Sequence, residues 1–137
     1  MNLQMEKLYM KSETKLWLNY ADENFQSAKV LLDSFLFNPS LQNSQQAIEK
    51  YLKAYFIENG LKLQKTHSIF SLVEVIKTED VFIDISEDDI DLIDSIYMTS
   101  KYPFGSVLPD FEPNEDICKR CIDIADRVKQ DIKYLIN

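Results

Sequence analysis

His67, within K-T-H-S-I-F-S-L, is the sole histidine of the chain, and so the one side chain whose ordinary titration lies near neutral pH. Serine-nucleophile catalysis would need a serine in a G-x-S-x-G elbow beside it, and the sequence has no such elbow. The simplest role for His67 is a first-turn helical residue whose ring packs or hydrogen-bonds locally. Glu49 and Lys53 stand four residues apart in the order that favours an ion pair on one helix face. The pair fits either the surface or the wall of a cleft. Cys118 and Cys121 form a C-x-x-C, but no second pair supplies four zinc ligands. The pair also falls a turn inside a helical pattern, not at a helix start where the dipole would activate a thiol, so buried structural thiols are expected. There is no glycine-rich phosphate loop. These residues imply no metal and no cofactor. T-S-K-Y-P-F-G-S-V-L-P-D, residues 99–110, gathers Lys101, two aromatics, two prolines and a glycine, which suits either a helix stop or a site.

These residues must be positioned by helices. Ser12 is a candidate cap for a first helix whose stripe is Trp17, Tyr20, Ala21, Asn24, Ala28, Leu31, Leu32 and Phe35. Asn38-Pro39 breaks it, and Ser40 can cap a second helix that runs to about Asn59, with Gly60 as its stop. That helix carries Leu41, Ile48, Leu52 and Tyr55 beside Ala47, Tyr51 and Ala54. Its end, A-Y-F-I, is apolar nearly all round, so it should be the most buried. Gln42, Gln46, Glu49, Lys50 and Lys53 form its polar face.

Thr66 is a candidate cap for a helix bearing Ile69, Leu72, Val73 and Ile76. Residues 79–85 read as an extended linker. Ser86-Glu87-Asp88-Asp89 resembles a capping box ahead of Ile90, Ile93, Ile96 and Tyr97. Pro103 and Gly105 stop that helix. The last begins near Asn114 and lines one face with Ile117, Cys121, Ile124, Ala125, Val128, Ile132 and Leu135. The sum is all-α: an antiparallel up-and-down bundle of about five helices, a single domain over residues 1–137.

Length and charge narrow the function. A chain of 137 residues, 45% of them apolar, can bury a real core. No apolar run is long enough to span a membrane, and the N-terminus lacks the pattern of a signal peptide, so a cytoplasmic location is expected. The net charge of −8 argues against DNA and other non-specific nucleic-acid binding. The charge is uneven, however. Eight acids and no base lie between Lys77 and Lys101, whereas four lysines and one acid lie from Lys50 to His67. The acidic run reads as a solvated face or a surface for a basic partner, and the lysines as a local cationic surface.

S-x-x-x-S-Q-Q-A-I-E-K-Y-L-K-A-Y-F-I-E-N-G (40–60), K-T-H-S-I-F-S-L (65–72) and S-K-Y-P-F (100–104), in that order and spacing, resemble the HEPN family, the "higher eukaryotes and prokaryotes nucleotide-binding" domain. The resemblance covers about residues 14–135. It implies a five-helix bundle, usually a homodimer, often paired with a minimal nucleotidyltransferase in a toxin–antitoxin arrangement. Many members are metal-independent ribonucleases with an Arg followed four to six residues later by a His. Here Lys101 stands where that Arg would be, and Ser106, Val107 and Leu108 stand where the His would fall. Lysine keeps the charge but not the bidentate fork, and none of those three residues can serve as a base. Tyr97, Tyr102 and Phe104 supply aromatics suited to a dimer interface.

Three functions are therefore open. The first is a non-catalytic dimeric module presenting Lys101 and Tyr102, with Lys53, Lys65 and His67, to a nucleotide, an RNA phosphate or a partner nucleotidyltransferase. The second is a diverged ribonuclease toxin, and the third a structural adaptor that docks through its acidic face.

Overall fold

In the computed structural model, which describes residues 10–101 and 112–137, the segment that is apolar nearly all round becomes the central helix. The elements in chain order are α1 (Ser12–Asp33), α2 (Phe37–Glu58), α3 (Ile69–Lys77), α4 (Glu87–Lys101) and α5 (Glu115–Ile136), arranged as an antiparallel bundle. Among the described residues there is no strand. α2 packs against all four other helices. Tyr51, Phe56, Leu41, Ile48 and Leu52 are completely enclosed there, each contributing roughly 1.5–3 kcal/mol by leaving water. No described helix is long and apolar enough to cross a membrane.

The stripe of α1 is rotated from the one expected. Thr14, Leu18, Ala21, Phe25 and Ala28 face inward, while Tyr20 and Phe35 are exposed. Ala21 and Ala28 were in the expected stripe, and the true face runs through them at spacings of three and four. On α5, Cys121, Ile124, Ala125, Val128 and Ile132 are buried as expected, together with Cys118. Burial pushes the Cys121 thiol up to about 12 and raises Cys118 as well. Both are inert, packed thiols.

Several helix starts are capped differently from the local reading. Ser12 does not cap α1. Glu58, at the end of antiparallel α2, reaches across to accept the Lys11 N–H at 3.0 Å and the Thr14 hydroxyl at 2.9 Å. A carboxylate suits the unpaired N–H groups at a helix start. The α1–α2 break falls at Ser34–Leu36, and Pro39 sits in the first turn of α2, where a missing N–H costs nothing. Ser40 is instead buried, donating to the Ala28 carbonyl at 2.8 Å. Ser68, not Thr66, caps α3, accepting the Ser71 N–H at 3.2 Å.

Two expectations hold. Ser86 and Asp89 cap one another reciprocally at 3.1 and 3.0 Å. Asn114 caps α5. The linker expected to be extended over 79–85 is irregular instead: 78–80 form a turn with Asp80 at φ 56°, and 81–86 carry no regular structure, with Ile83 buried against the core.

α1 and α2 end with the same backbone closure on different residues. Gly60 takes φ 64°, with Gly60 N–H bonded to Ile57 and Leu61 N–H to Phe56. Phe35 takes φ 59°, with Phe35 N–H bonded to Leu32 and Leu36 N–H to Leu31. Its ring is 72% exposed and touches Phe37 edge-on. A side chain in this left-handed region costs roughly 1–2 kcal/mol, more than the ~0.4–1 kcal/mol of unfolded-state freedom that glycine adds. Phe35→Gly should therefore raise stability by roughly 0.5–1 kcal/mol, read from the urea midpoint at unchanged slope. A lowered midpoint would mean that the exposed ring matters more than the backbone.

Candidate functional site

Gln45, Glu49 and Lys53 recur every four residues on α2, which places them in one row along the helix. The sequence reading left Glu49 and Lys53 open between the surface and the wall of a cleft, and did not single out Gln45. All three are buried, because α3 and α4 cover this face. Glu49 is the hub. Its Oε2 accepts Lys53 Nζ at 3.0 Å, and its Oε1 accepts Gln45 Nε2 at 3.2 Å and contacts His67 Nδ1 at 3.0 Å. Gln46 Nε2 in turn donates to Gln45 Oε1 at 2.7 Å. A buried carboxylate is costly unless paired and hydrogen-bonded, and this one has three partners. Lys53 Nζ also lies 6.0 Å from the centre of the Trp17 ring.

His67 was expected to bond locally. It precedes the α3 cap and makes long-range contacts instead: Nδ1 to Glu49, and its ring stacked on Tyr97 of α4, centroids 4.5 Å apart at 20°. An ionised carboxylate can only accept, so in this contact Nδ1 is the donor. Half of the side chain remains exposed. Asp94, one turn before Tyr97, accepts the Ile69 N–H at 2.7 Å and the Phe70 N–H at 3.2 Å. It thereby fixes the start of α3 against α4. Its partial burial, with Asp91 and Glu49 adding repulsion, raises its pKa above the usual carboxylate value despite those two hydrogen bonds.

Between these elements opens a cleft of 460 Å³ whose described lining includes Lys65, Thr66, His67, Asp94, Tyr97 and Met98. The structure thus puts Lys65 and His67 on one cleft, whereas Lys53 is buried behind His67 on their shared partner Glu49. Lys101 closes α4 one turn, about 6 Å of helix rise, beyond Tyr97. Tyr102, with Phe104 and the rest of the 102–111 stretch, lies outside the described residues.

The expected cationic surface is smaller than four lysines. Lys53 is spent on Glu49, and Lys50 donates to Asn24 Oδ1 at 2.6 Å with its pKa lowered by burial. Lys62 and Lys65 remain exposed. Gln45 and Asp94 escaped the sequence reading. Asp94 had a signal: it lies four residues after Ile90 and three before Tyr97, on an otherwise apolar stripe.

Two further polar clusters hold helices together. Asp22 of α1 accepts the Tyr51 hydroxyl, and Lys133 Nζ at 2.9 Å. Burial alone would raise the Asp22 pKa, but these partners lower it. Burial followed by Asp22 pushes Tyr51 up. Asp89 binds Arg120 and Arg127 of α5. No group of three or more His, Cys, Asp or Glu suited to a metal occurs among the described residues.

The model of the HEPN domain family matches residues 14–135. A protein of Methanocaldococcus jannaschii described as a "putative toxin" is 30% identical over 129 residues, which span 87% of this chain and 85% of that protein. A crystal structure of a Thermus thermophilus protein is similar with a TM-score of 0.70 at 20% identity, over 90% of this chain and 98% of that one. An archaeal HEPN homologue is similar with a TM-score of 0.65 at 18% identity, over the same shares of each chain. At those identities the likeness is one of fold.

Proposed function

The chain belongs to the HEPN domain family, and from that premise we propose that it acts as a dimeric module binding a nucleotide or RNA phosphate, paired with a minimal nucleotidyltransferase in a toxin–antitoxin arrangement. The observation that carries this reading is the contact of His67 with Glu49 and Tyr97. It joins the segment before α3 to α4, where Lys65, His67, Asp94 and Tyr97 line one open cleft, and Lys101 ends α4 one turn after Tyr97. Lysines at such a cleft attract phosphate even on a chain of net charge −8, because local potential governs encounter.

Titration with mononucleotides and a short single-stranded RNA tests the reading. Lys65→Ala and Lys101→Ala should each weaken RNA binding and reduce the salt slope by about 0.7, the value for one phosphate contact on a single strand. Sedimentation should give a dimer, and the chain should co-purify with a minimal nucleotidyltransferase encoded beside it. Absence of binding to nucleotides, RNA and nucleotidyltransferase alike would overturn the proposal.

One observation favours a second reading, a diverged metal-independent ribonuclease. Glu49 and Tyr97 hold a half-exposed imidazole at the cleft, and an imidazole is the type of side chain that takes a proton from a ribose 2′-hydroxyl, a role the family's usual position cannot fill here. RNA cleavage by the purified dimer that falls ~10²–10⁴-fold in His67→Ala would support it. Intact RNA after prolonged incubation would rule it out.

A further inference from the structure

We propose that the cleft beside His67 is a base-recognition subsite for guanine, with the base stacked on the His67 imidazole and its Watson–Crick donors on the Asp94 carboxylate. This rests on the reading that this end of the bundle binds nucleotides, and adds which part of the nucleotide it selects.

The His67 ring is a prepared plate. Tyr97 supports it at 4.5 Å and Glu49 holds its Nδ1 at 3.0 Å, while half of the side chain remains open to a ligand. A ring already fixed by two partners loses little freedom when a base stacks on it. Met98, 40% exposed at the same cleft, offers a polarisable thioether that suits an aromatic face. The 460 Å³ cleft falls within the ordinary range for small-molecule sites and exceeds what one base fills.

Asp94 supplies the selectivity. Its Oδ1 and Oδ2 each accept one backbone N–H, from Ile69 and Phe70. A carboxylate has about four lone-pair sites, so each oxygen keeps capacity for one more donor. Guanine alone among the four RNA bases presents two adjacent donors on its Watson–Crick edge, N1–H and the 2-amino group. Adenine, cytosine and uracil each set at least one acceptor against the carboxylate, leaving charge facing a lone pair. Lys65, on the same cleft, provides a cation for the attached phosphate.

The test is equilibrium titration of the full chain with GMP, IMP, AMP and ribose 5-phosphate. GMP should bind roughly tenfold or more tighter than AMP, with IMP, which lacks the 2-amino group, between them. His67→Ala should weaken GMP roughly tenfold and leave ribose 5-phosphate unchanged. Asp94→Asn should abolish the preference for GMP over AMP. Asn keeps one oxygen for the α3 N–H groups, and circular dichroism verifies folding; if that variant does not fold, the His67→Ala and IMP arms decide alone. Equal affinity for GMP, AMP and ribose 5-phosphate would overturn the subsite and leave the phosphate-binding reading standing. Binding of none of the four would overturn the subsite, and RNA and nucleotidyltransferase binding would then decide the wider reading.

Discussion

Glu49→Ala lowers the stability of the bundle by about 3–5 kcal/mol, because it leaves a charged Lys53 buried without its partner. Lys53 is 7% exposed and Glu49 4%, so neither can turn to water without opening the α2–α3–α4 junction. The same change strips Gln45 Nε2 and His67 Nδ1 of their acceptor, and each orphaned donor adds its own desolvation cost. The complementary variant removes both charges. Glu49→Leu with Lys53→Met fills the row with apolar side chains of similar size and should recover the part of the loss that comes from the unpaired charge, since buried pairs replaced whole are often neutral, leaving about 1–3 kcal/mol for the buried Gln45 Nε2 that still lacks its acceptor. Nucleotide binding should stay weakened, because His67 then keeps its Tyr97 stack but not the Glu49 contact that fixes the ring. Urea unfolding of the two variants beside nucleotide titration separates these effects. A Glu49→Ala chain as stable as the parent would show that the hub is not a buried charge pair at all.

That hub also shows where reading the sequence stops. The architecture is written in periodicity: α2, α3 and α5 keep their apolar rows, Gly60 stops α2, Asn114 starts α5, and the Ser86–Asp89 box forms as its spacing implies. All of these are decided within one or two turns of chain. What was misread is decided between helices. Glu49 and Lys53 fit the surface and a cleft wall equally well by spacing, and only the packing around them decides that they are buried. Ser12 looks like a cap until Glu58 arrives from 46 positions away. The acidic run looks like a solvated face, yet Asp89 is buried on two arginines and Asp94 anchors α3. Charge counted along the chain cannot tell a carboxylate that repels solvent anions from one that ends a helix. The candidate site suffered most. His67 was legible as the chain's one histidine, but its partners Glu49 and Tyr97, and Asp94 across the same cleft, are 18, 30 and 27 residues away. No local pattern couples them.

Asp89→Asn lowers stability by about 1–2 kcal/mol at neutral pH, and the gap should close as the solution is acidified. Asp89 is 7% exposed. It accepts Arg120 at 3.3 Å, Arg127 at 3.2 Å and the Ser86 N–H at 3.1 Å, joining the linker, α4 and α5 through one carboxylate. Burial alone would raise its pKa, but Ser86, Arg127 and Arg120 outweigh it and hold the folded value below the ordinary 3.8. The unfolded chain therefore takes up the proton first, and unfolding becomes easier as pH falls. The stabilisation is complete above pH 3.8 and is lost through the folded pKa below it. Asp22, lowered by Tyr51 and Lys133 against the pull of burial, acts in the same direction. Asp94 acts oppositely: its folded pKa is raised, so protonation just above 3.8 favours the fold and partly offsets the other two. The parent's loss should hence steepen only below that point. Asparagine cannot titrate, so the Asp89→Asn curve should lie under the parent's at pH 7 and meet it in strong acid. A constant gap at every pH would mean that Asp89 contributes through its shape and hydrogen bonds, and not through its charge.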